Sequence, residues 1–167
     1  MALSGTTTDR AAQIRTELKR RGITSRQVSV RADYYSMGST IRVQIKDPTI
    51  QKATVRRIAE QHERVDRCQI TGESLSGGNR HVDVEYTQDA MDALIRPLLP
   101  AVTKAVDGTE IGSRVCQHVE GTHYIVGRTN GGRISVWNNK THQPLWDAWD
   151  AQGAARVIAL DQVDPQR

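Results

Sequence analysis

The 167-residue chain contains no phenylalanine, and aromatic residues make up only 4% of it. A hydrophobic core must therefore be built from valine, isoleucine, leucine and alanine. The three tryptophans, Trp137, Trp146 and Trp149, lie together near the C-terminus. Two interpretations of this cluster stay open: the tryptophans form the core of a C-terminal lobe, or, if they are exposed, they mark a site for a protein partner.

Long apolar runs and clustered cysteines are also missing. No stretch approaches the roughly 20 apolar residues that a membrane span needs, and the N-terminus lacks the basic start and apolar centre of a signal peptide. We therefore predict a cytoplasmic protein with no membrane partner. Cys68 and Cys116 fall in separate predicted strands, so reduced, partly buried thiols are expected rather than a disulfide framework.

The net charge of +4 is small and unevenly distributed. Residues 1–86 carry 15 Lys and Arg against 10 Asp and Glu, whereas residues 87–167 carry 8 against 9. The basic character therefore belongs to the N-terminal half. An excess of this size permits contacts with phosphates or with an acidic protein surface, and it identifies neither.

Residues 27–46 have the pattern of a β-hairpin. Valines and isoleucines alternate with polar or basic residues on both sides of a loop at residues 34–39, so one face is apolar and the other polar and basic. The segments on either side of the hairpin have helical periodicity. Because helices can cover the apolar face of such a pair, the sequence predicts an α+β layer centred on this hairpin.

The whole chain is predicted to be α+β in three parts. Residues 1–86 form an α-β-β-α-β-β unit with an antiparallel sheet, residues 87–107 form a kinked connector helix, and residues 108–167 form a small β-meander followed by a helix. In the first part, Thr7 or Thr8 is expected to cap a helix that stops at Gly22.

The second helix of this unit is expected to begin at Asp47-Pro48, with the carboxylate as its cap. A second hairpin is predicted from strands at residues 67–73 and 81–86, joined by a turn at residues 74–80.

The C-terminal half has similar start and stop signals. Thr87 is expected to cap the connector helix, and Pro97 and Pro100 to bend or break it. Asp150 is expected to cap a last helix that ends near Leu160. The meander strands are predicted at residues 114–119, 123–129 and 133–138.

A short motif links the first helix to the hairpin. Its residues are Ile14, Arg15, Leu18, Lys19, Ser29, Val30, Arg31, Tyr35, Ser36, Gly38, Ser39, Ile41 and Val43. Over residues 10–86 this pattern resembles the twenty-ninth of the large polyvalent protein-associated domains, a family of phage and conjugative-element proteins. Met37 departs from the family pattern, which has a second glycine there. The resemblance implies a mobile-element context and an effector directed against host defence or host physiology; it implies no defined activity.

Residues with metal-binding or catalytic chemistry do not form a recognisable motif. Cys116, His118 and His123 could supply three soft ligands, but they lack a paired CxxC or HExxH spacing and are better interpreted as ordinary sheet residues. No nucleophile with a base, and no acid–base pair, can be assembled. We predict no metal, no cofactor and no enzymatic activity.

The polar face and loop of the first hairpin carry the candidate binding site. Basic side chains on this face, with tyrosines at the tip, pair phosphate neutralisation with aromatic stacking. The alternative is a solvated sheet face whose tyrosines cap the edge of the core. The candidate binding residues are Arg31, Tyr34, Tyr35, Ser36, Met37, Arg42 and Lys46.

The surface of the hairpin predicts a binding protein, and the resemblance implies that it belongs to a phage or mobile element. Together they predict a protein that blocks a host macromolecule in the bacterial cytoplasm, as a counter-defence inhibitor of the anti-restriction or anti-CRISPR type. The expected partner is a host protein or a protein–nucleic acid complex. The alternative function is that of a nucleic-acid-binding accessory protein, in which the basic hairpin face follows phosphates.

Overall fold

In the computed structural model, which describes residues 6–36, 38–63 and 80–165, the chain divides into two compact units, residues 1–90 and 91–167. Helices and sheets occur in both, and the predicted α+β class is confirmed. The elements up to the unit boundary are α1 (Thr7–Arg20), β1 (Val28–Tyr35), β2 (Gly38–Ile45), α2 (Lys52–Glu60) and β3 (Arg80–Tyr86). Helix α3 (Gln88–Ile95) contains the boundary itself.

The predicted first hairpin is confirmed, but its strands extend into the expected loop at residues 34–39, since β1 ends at Tyr35 and β2 begins at Gly38. β1 and β2 are antiparallel, with Val30 opposite Val43 and Ala32 opposite Ile41. Alternate side chains point to opposite faces of a strand, which places the apolar residues of both strands on one face. That face packs against α1, whose buried residues include Ile14, and α2 packs against β3 and α1.

The sheet of the first unit is mixed rather than antiparallel. Its order is β1-β2-β3, and β3 runs parallel to β2 with Val43 opposite Val84. Parallel neighbours require a crossover connection, and α2 lies within the connection between these two strands. The other predicted strand, at residues 67–73, and the turn up to residue 79 lie outside the described residues; Arg80 begins β3.

The N-cap of helix α1 lies one residue before the expected caps. Thr6 is the N-cap: its hydroxyl accepts a hydrogen bond from the Asp9 backbone N–H, and the Asp9 carboxylate accepts one from the Thr6 backbone N–H. In this reciprocal arrangement the cap lies three residues before Asp9, so neither Thr7 nor Thr8 is the N-cap. The predicted stop is confirmed, since Gly22 has a φ of 78° and the Ile23 N–H donates to the Leu18 carbonyl.

The expected cap at Asp47 is wrong. Its carboxylate accepts hydrogen bonds from the backbone N–H and the hydroxyl of Thr49, which closes a local turn instead of starting a helix. Helix α2 starts later, with Gln51 as an N-cap that makes no side-chain hydrogen bond. The start of α2 is held instead by Tyr86, whose hydroxyl donates to the Ile50 carbonyl at 2.7 Å.

The predicted connector is two helices. α3 ends at Ile95, and α4 (Leu99–Asp107) begins after Pro97 and contains Pro100 in its first turn. Proline lacks a backbone N–H, which is tolerated in the first turn of a helix but not in its interior, and this separates the two helices. The predicted cap at Thr87 is confirmed, because its hydroxyl accepts from the Ala90 N–H at 3.4 Å.

A four-stranded antiparallel meander forms the sheet of the second unit, in the order β4-β5-β6-β7. Asp150 caps the last helix as expected, since its carboxylate accepts from the Gly153 N–H at 2.7 Å. The elements are β4 (Gln117–His118), β5 (Tyr124–Arg128), β6 (Ile134–Asn138), β7 (Gln143–Pro144) and α5 (Ala151–Val163). Within the described ranges, no helix is both long and apolar enough to cross a membrane.

Candidate functional site

The polar face of the first sheet carries both signs of charge. Arg31 and Arg42 are direct cross-strand partners, as the alternation in the sequence predicts, and both are exposed. Arg42 forms an ion pair with Asp33 at 3.3 Å and lies opposite Asp83 on β3, where Glu85 points to the same face. Three carboxylates therefore accompany the two guanidinium groups, and this part of the face is not a basic surface.

The two hairpin tyrosines point to opposite faces. Tyr34 continues the buried side of β1, and its hydroxyl is 2.8 Å from the hydroxyl of Thr8 on α1. Tyr35 continues the polar side, and its ring lies against the backbone of Gly38. Both rings are well exposed, at 64% for Tyr34 and 50% for Tyr35. Tyr35 therefore shares a face with Arg31 and Arg42, whereas Tyr34 contacts the helical layer.

The remaining candidate residues of the hairpin are spread along its length. Ser36 is an exposed turn residue at the tip, and Met37 lies outside the described residues. Lys46 follows β2 at the opposite end, where its N–H donates to the Gln27 carbonyl at 2.7 Å. A strand rises about 3.3 Å per residue, so Lys46 lies roughly 25 Å from the tip. The structure does not bring Lys46 and the tyrosines into one site.

The second unit presents an aromatic surface. Trp146 and Trp149 are 72% and 75% exposed, and Trp137 on β6 is 40% exposed. The interpretation of the tryptophans as the core of this unit is wrong, because aliphatic residues and Tyr124 occupy that core. The tryptophan cluster was visible in the sequence, but its exposure depends on tertiary structure and could not be derived from spacing.

Residues 145–149, which we call the tryptophan segment, are held beside β6. The Leu145 N–H donates to the Val136 carbonyl at 2.8 Å, and Ala148 exchanges two hydrogen bonds of 2.8 Å with Ile134. Ala148 is buried by this pairing, which leaves its neighbours in the segment exposed. The Trp149 ring stacks under a guanidinium, with Arg133 Cζ 4.3 Å from the ring centroid. The backbone of the segment is thus fixed while its indoles face solvent.

A polar network joins α5 to the sheet beneath this segment. Asp161 Oδ2 accepts a hydrogen bond from the Tyr124 hydroxyl and another from Asn138 Nδ2, both at 2.8 Å. Burial of the ring and the neighbouring Asp161 carboxylate raise the pKa of Tyr124 above its ordinary value, so its hydroxyl remains a donor. Asn138 in turn accepts from the backbone N–H groups of Lys140 and Thr141.

Replacing Asp161 by alanine should lower the free energy of unfolding of the second unit by about 2–3 kcal/mol, because two buried donors lose their acceptor. Asp161→Asn should lower the free energy of unfolding by clearly less, since the amide oxygen of asparagine can still accept a hydrogen bond from Tyr124 or Asn138. Denaturant unfolding followed by tryptophan fluorescence measures both. Equal losses in the two variants would contradict this role for the carboxylate.

Two grooves flank Trp146. The larger has a volume of about 730 Å³ and is also lined by Asp161 and Pro165. The smaller has a volume of about 270 Å³ and runs along α5, where Val157 and Leu160 line it. An exposed indole between two concavities is suited to packing against the side chains of a partner.

A partly buried histidine in the first unit is a separate electrostatic feature. The backbone carbonyl of His62 accepts a 2.6 Å hydrogen bond from Arg10, whose guanidinium is buried. Burial, followed by the positive charge of Arg10, lowers the pKa of His62 below its ordinary value, while Glu17 acts in the opposite direction. Folding therefore favours the neutral imidazole.

The sign of this shift predicts a loss of stability on the acid side of neutrality. Above the ordinary pKa of 6.5 the contribution of His62 is fully present, and as the pH falls through that value the unfolded chain takes up the proton first. The free energy of unfolding of the first unit should therefore decline below about pH 6.5 and level off below the folded-state pKa. Circular dichroism melts at several pH values measure this decline.

His62→Gln should flatten this pH dependence, and His123→Gln, which changes an exposed histidine of the second unit, should not. Asp9 and Asp47 do not contribute to the pH dependence in this range, because hydrogen bonds lower the pKa of each carboxyl from its ordinary value of 3.8. An unchanged slope in His62→Gln would show that another group is responsible.

The cysteine and histidine residues of the meander do not come together as ligands. Cys116 is exposed and precedes β4, because pairing with β5 begins only at Gln117; the expectation of a partly buried thiol in a strand is wrong for this residue. Cys68 lies outside the described residues. Within the described parts of the chain, no group of three metal-ligating side chains is present.

No known protein family, characterised protein or solved structure shows significant similarity to this chain. The resemblance of residues 10–86 to the polyvalent protein-associated domains thus stays a prediction from the motif residues.

Proposed function

We propose that this protein is a binding protein whose tryptophan segment anchors a protein partner. The observation that carries the proposal is the exposure of Trp146 and Trp149, at 72% and 75%. Large exposed aromatic side chains are enriched among the residues that dominate binding energy, and a fixed backbone reduces the entropy lost when they are covered. The backbone of the segment is held by its hydrogen bonds to Val136 and Ile134.

We also propose what kind of partner the protein binds and in which cell it acts. On the strength of the motif between Ile14 and Val43, we propose a protein of a phage or mobile element that acts in the cytoplasm of a bacterial host. There it binds and blocks a host protein, or a protein–nucleic acid complex, as a counter-defence inhibitor. This role is stoichiometric binding, without catalysis and without a cofactor.

Nucleic-acid binding through the first hairpin is less well supported by the geometry. A surface that follows phosphates needs basic groups free to neutralise them, and Arg42 is paired with Asp33 on a face that also carries Asp83 and Glu85. Tyr35 and Arg31 stay candidates for a contact at the edge of a protein interface.

The test is capture from a bacterial lysate with the full chain as bait, before and after nuclease treatment. We expect a discrete protein that survives nuclease treatment and is lost with the Trp146→Ala, Trp149→Ala double variant. Capture of nucleic acid alone would contradict the proposal.

Salt dependence separates the two classes of partner. With a protein partner, we expect affinity to change less than about tenfold between 50 and 200 mM salt, and Arg31→Ala with Arg42→Ala to leave the slope unaltered. A nucleic-acid partner held by 6–10 phosphates would instead lose about 10³-fold or more. Titration of the captured partner at several salt concentrations measures the slope.

A further inference from the structure

The first sheet has an edge strand with a regular set of outward-facing backbone groups. Lys46 N–H donates to the Gln27 carbonyl, and hydrogen-bonded pairs alternate along an antiparallel ladder. Arg31 and Arg42 therefore form a bonded pair, whereas Val30 and Ala32 direct their N–H and C=O groups away from β2. In the part of the chain that the structure describes, no strand pairs with this side of β1.

One of these outward groups is occupied by a side chain. Arg15 on α1 donates two hydrogen bonds to the Val30 carbonyl, from Nη2 at 2.7 Å and from Nε at 3.2 Å. A charged group held at the edge of a sheet discourages unspecific pairing with other strands. The guanidinium can also leave this carbonyl, because the Arg15 side chain is exposed.

A groove runs between this edge and α1. It has a volume of about 420 Å³, and its apolar lining includes Leu18, Ile23, Val28 and Val30. Such a groove beside an exposed strand is the arrangement in which an extended peptide adds to a sheet, with alternate side chains entering the groove.

The charges around the groove select the peptide. Among the residues that the structure describes, its lining includes Arg15, Lys19 and Lys46, and no carboxylate. Arg15 and Lys19 are one helical turn apart on α1, whereas Lys46 follows β2. Positive charges spread over two elements match several side-chain carboxylates along a peptide better than the single carboxylate of a C-terminus.

We propose that β1 and α1 form a second binding site, which accepts an extended acidic segment of a partner protein as a fourth strand. The segment pairs with the backbone of Val30 and Ala32 and places apolar side chains in the groove. Arg15 gives up the Val30 carbonyl and pairs with a carboxylate of the segment. This site lies in the first unit and does not depend on the tryptophan segment.

The test uses the full chain and a synthetic peptide of about eight residues, a typical strand length. Every second residue, the set that faces the groove, is alternately valine and glutamate, and the residues between them are threonine. We expect amide hydrogen exchange at Val30 and Ala32 to slow when the peptide binds. Exchange at Arg31, which already faces β2, should stay unchanged. A peptide with lysine in place of glutamate should bind at least about tenfold more weakly.

Two further peptides leave the protein unaltered and test strand addition itself. In one peptide the backbone amides of the odd-numbered residues are methylated, and in the other those of the even-numbered residues. Because only one set of peptide amides faces β1, one of the two peptides should lose binding and the other should retain it. Equal behaviour of both, or binding without slower exchange at Val30 and Ala32, would overturn the proposal.

Arg15→Gln tests the electrostatic part, since glutamine can still donate to the Val30 carbonyl but carries no charge. We expect a loss of about tenfold in affinity for the glutamate peptide. The matched control is Arg20→Gln on the same helix, which pairs with Glu17 and should leave the affinity unchanged. Equal affinity for the glutamate and lysine peptides would show that the groove does not select acidic segments.

Discussion

Replacing Trp146 and Trp149 by alanine is expected to weaken binding of the captured partner by about 30-fold or more for each residue, which corresponds to a hot-spot contribution of about 2 kcal/mol. The expectation follows from their exposure in the free protein: an indole that is mostly in contact with water can be buried almost entirely by a partner. Calorimetric titration of the single variants and of the double variant measures the loss.

Stability separates a binding role from a structural one in these variants. Because both rings are exposed, each substitution should change the free energy of unfolding by no more than about 0.5 kcal/mol. Val115→Ala is the matched control, since Val115 is an exposed apolar residue of the same unit outside the tryptophan segment. A large loss of stability, or unchanged affinity in the double variant, would remove the segment as the anchor.

The largest expected effect on stability belongs to Ile41. Its side chain is 0% exposed on the central strand of the first sheet, with Ala32 and Val82 as its cross-strand neighbours. Ile41→Ala should lower the free energy of unfolding by about 3–4 kcal/mol, because the lost apolar contacts leave a cavity that a central strand cannot close. Denaturant unfolding followed by circular dichroism measures it.

The choice of probe matters for this variant. All three tryptophans lie in the second unit, so their fluorescence does not report directly on the first. Gln44→Ala is the control on the same strand, since Gln44 points to the polar face and is only partly buried. A cost below about 1 kcal/mol for Ile41→Ala would mean that the apolar face of the hairpin is not the core of its unit.

Features set by residues close in sequence could be predicted. The apolar and polar faces of the first hairpin follow from alternation in its two strands, and the end of α1 follows from Gly22, which adopts the left-handed conformation that glycine tolerates. The cap at Asp150 has the same local origin. In each case the interacting groups lie within a few residues of one another.

Features that depend on competing partners could not be predicted. Asp47 has the sequence context of a helix cap, but Thr49 supplies nearer donors to its carboxylate. The parallel direction of β3 depends on where the chain returns to the sheet, which alternation within the strand does not record.

In the candidate site, too, the local pattern could be predicted and the tertiary surroundings could not. Alternation correctly placed Arg31 and Arg42 side by side, but the carboxylate of Asp33, on the same strand as Arg31, changes the net charge of their surface. The sequence also showed three tryptophans in a short stretch, and only the packing of aliphatic residues into the second core leaves them exposed.

The parallel pairing of β2 with β3 has a consequence for the order of folding. The first hairpin closes locally, whereas Ser39 meets Arg80 only across an intervening stretch of about 40 residues, and such contacts form late because the loop must first be closed. During synthesis, the edge of β2 therefore stays unpaired until Tyr86 has left the ribosome. A chain that stops before β3 would expose that edge and should aggregate in cells.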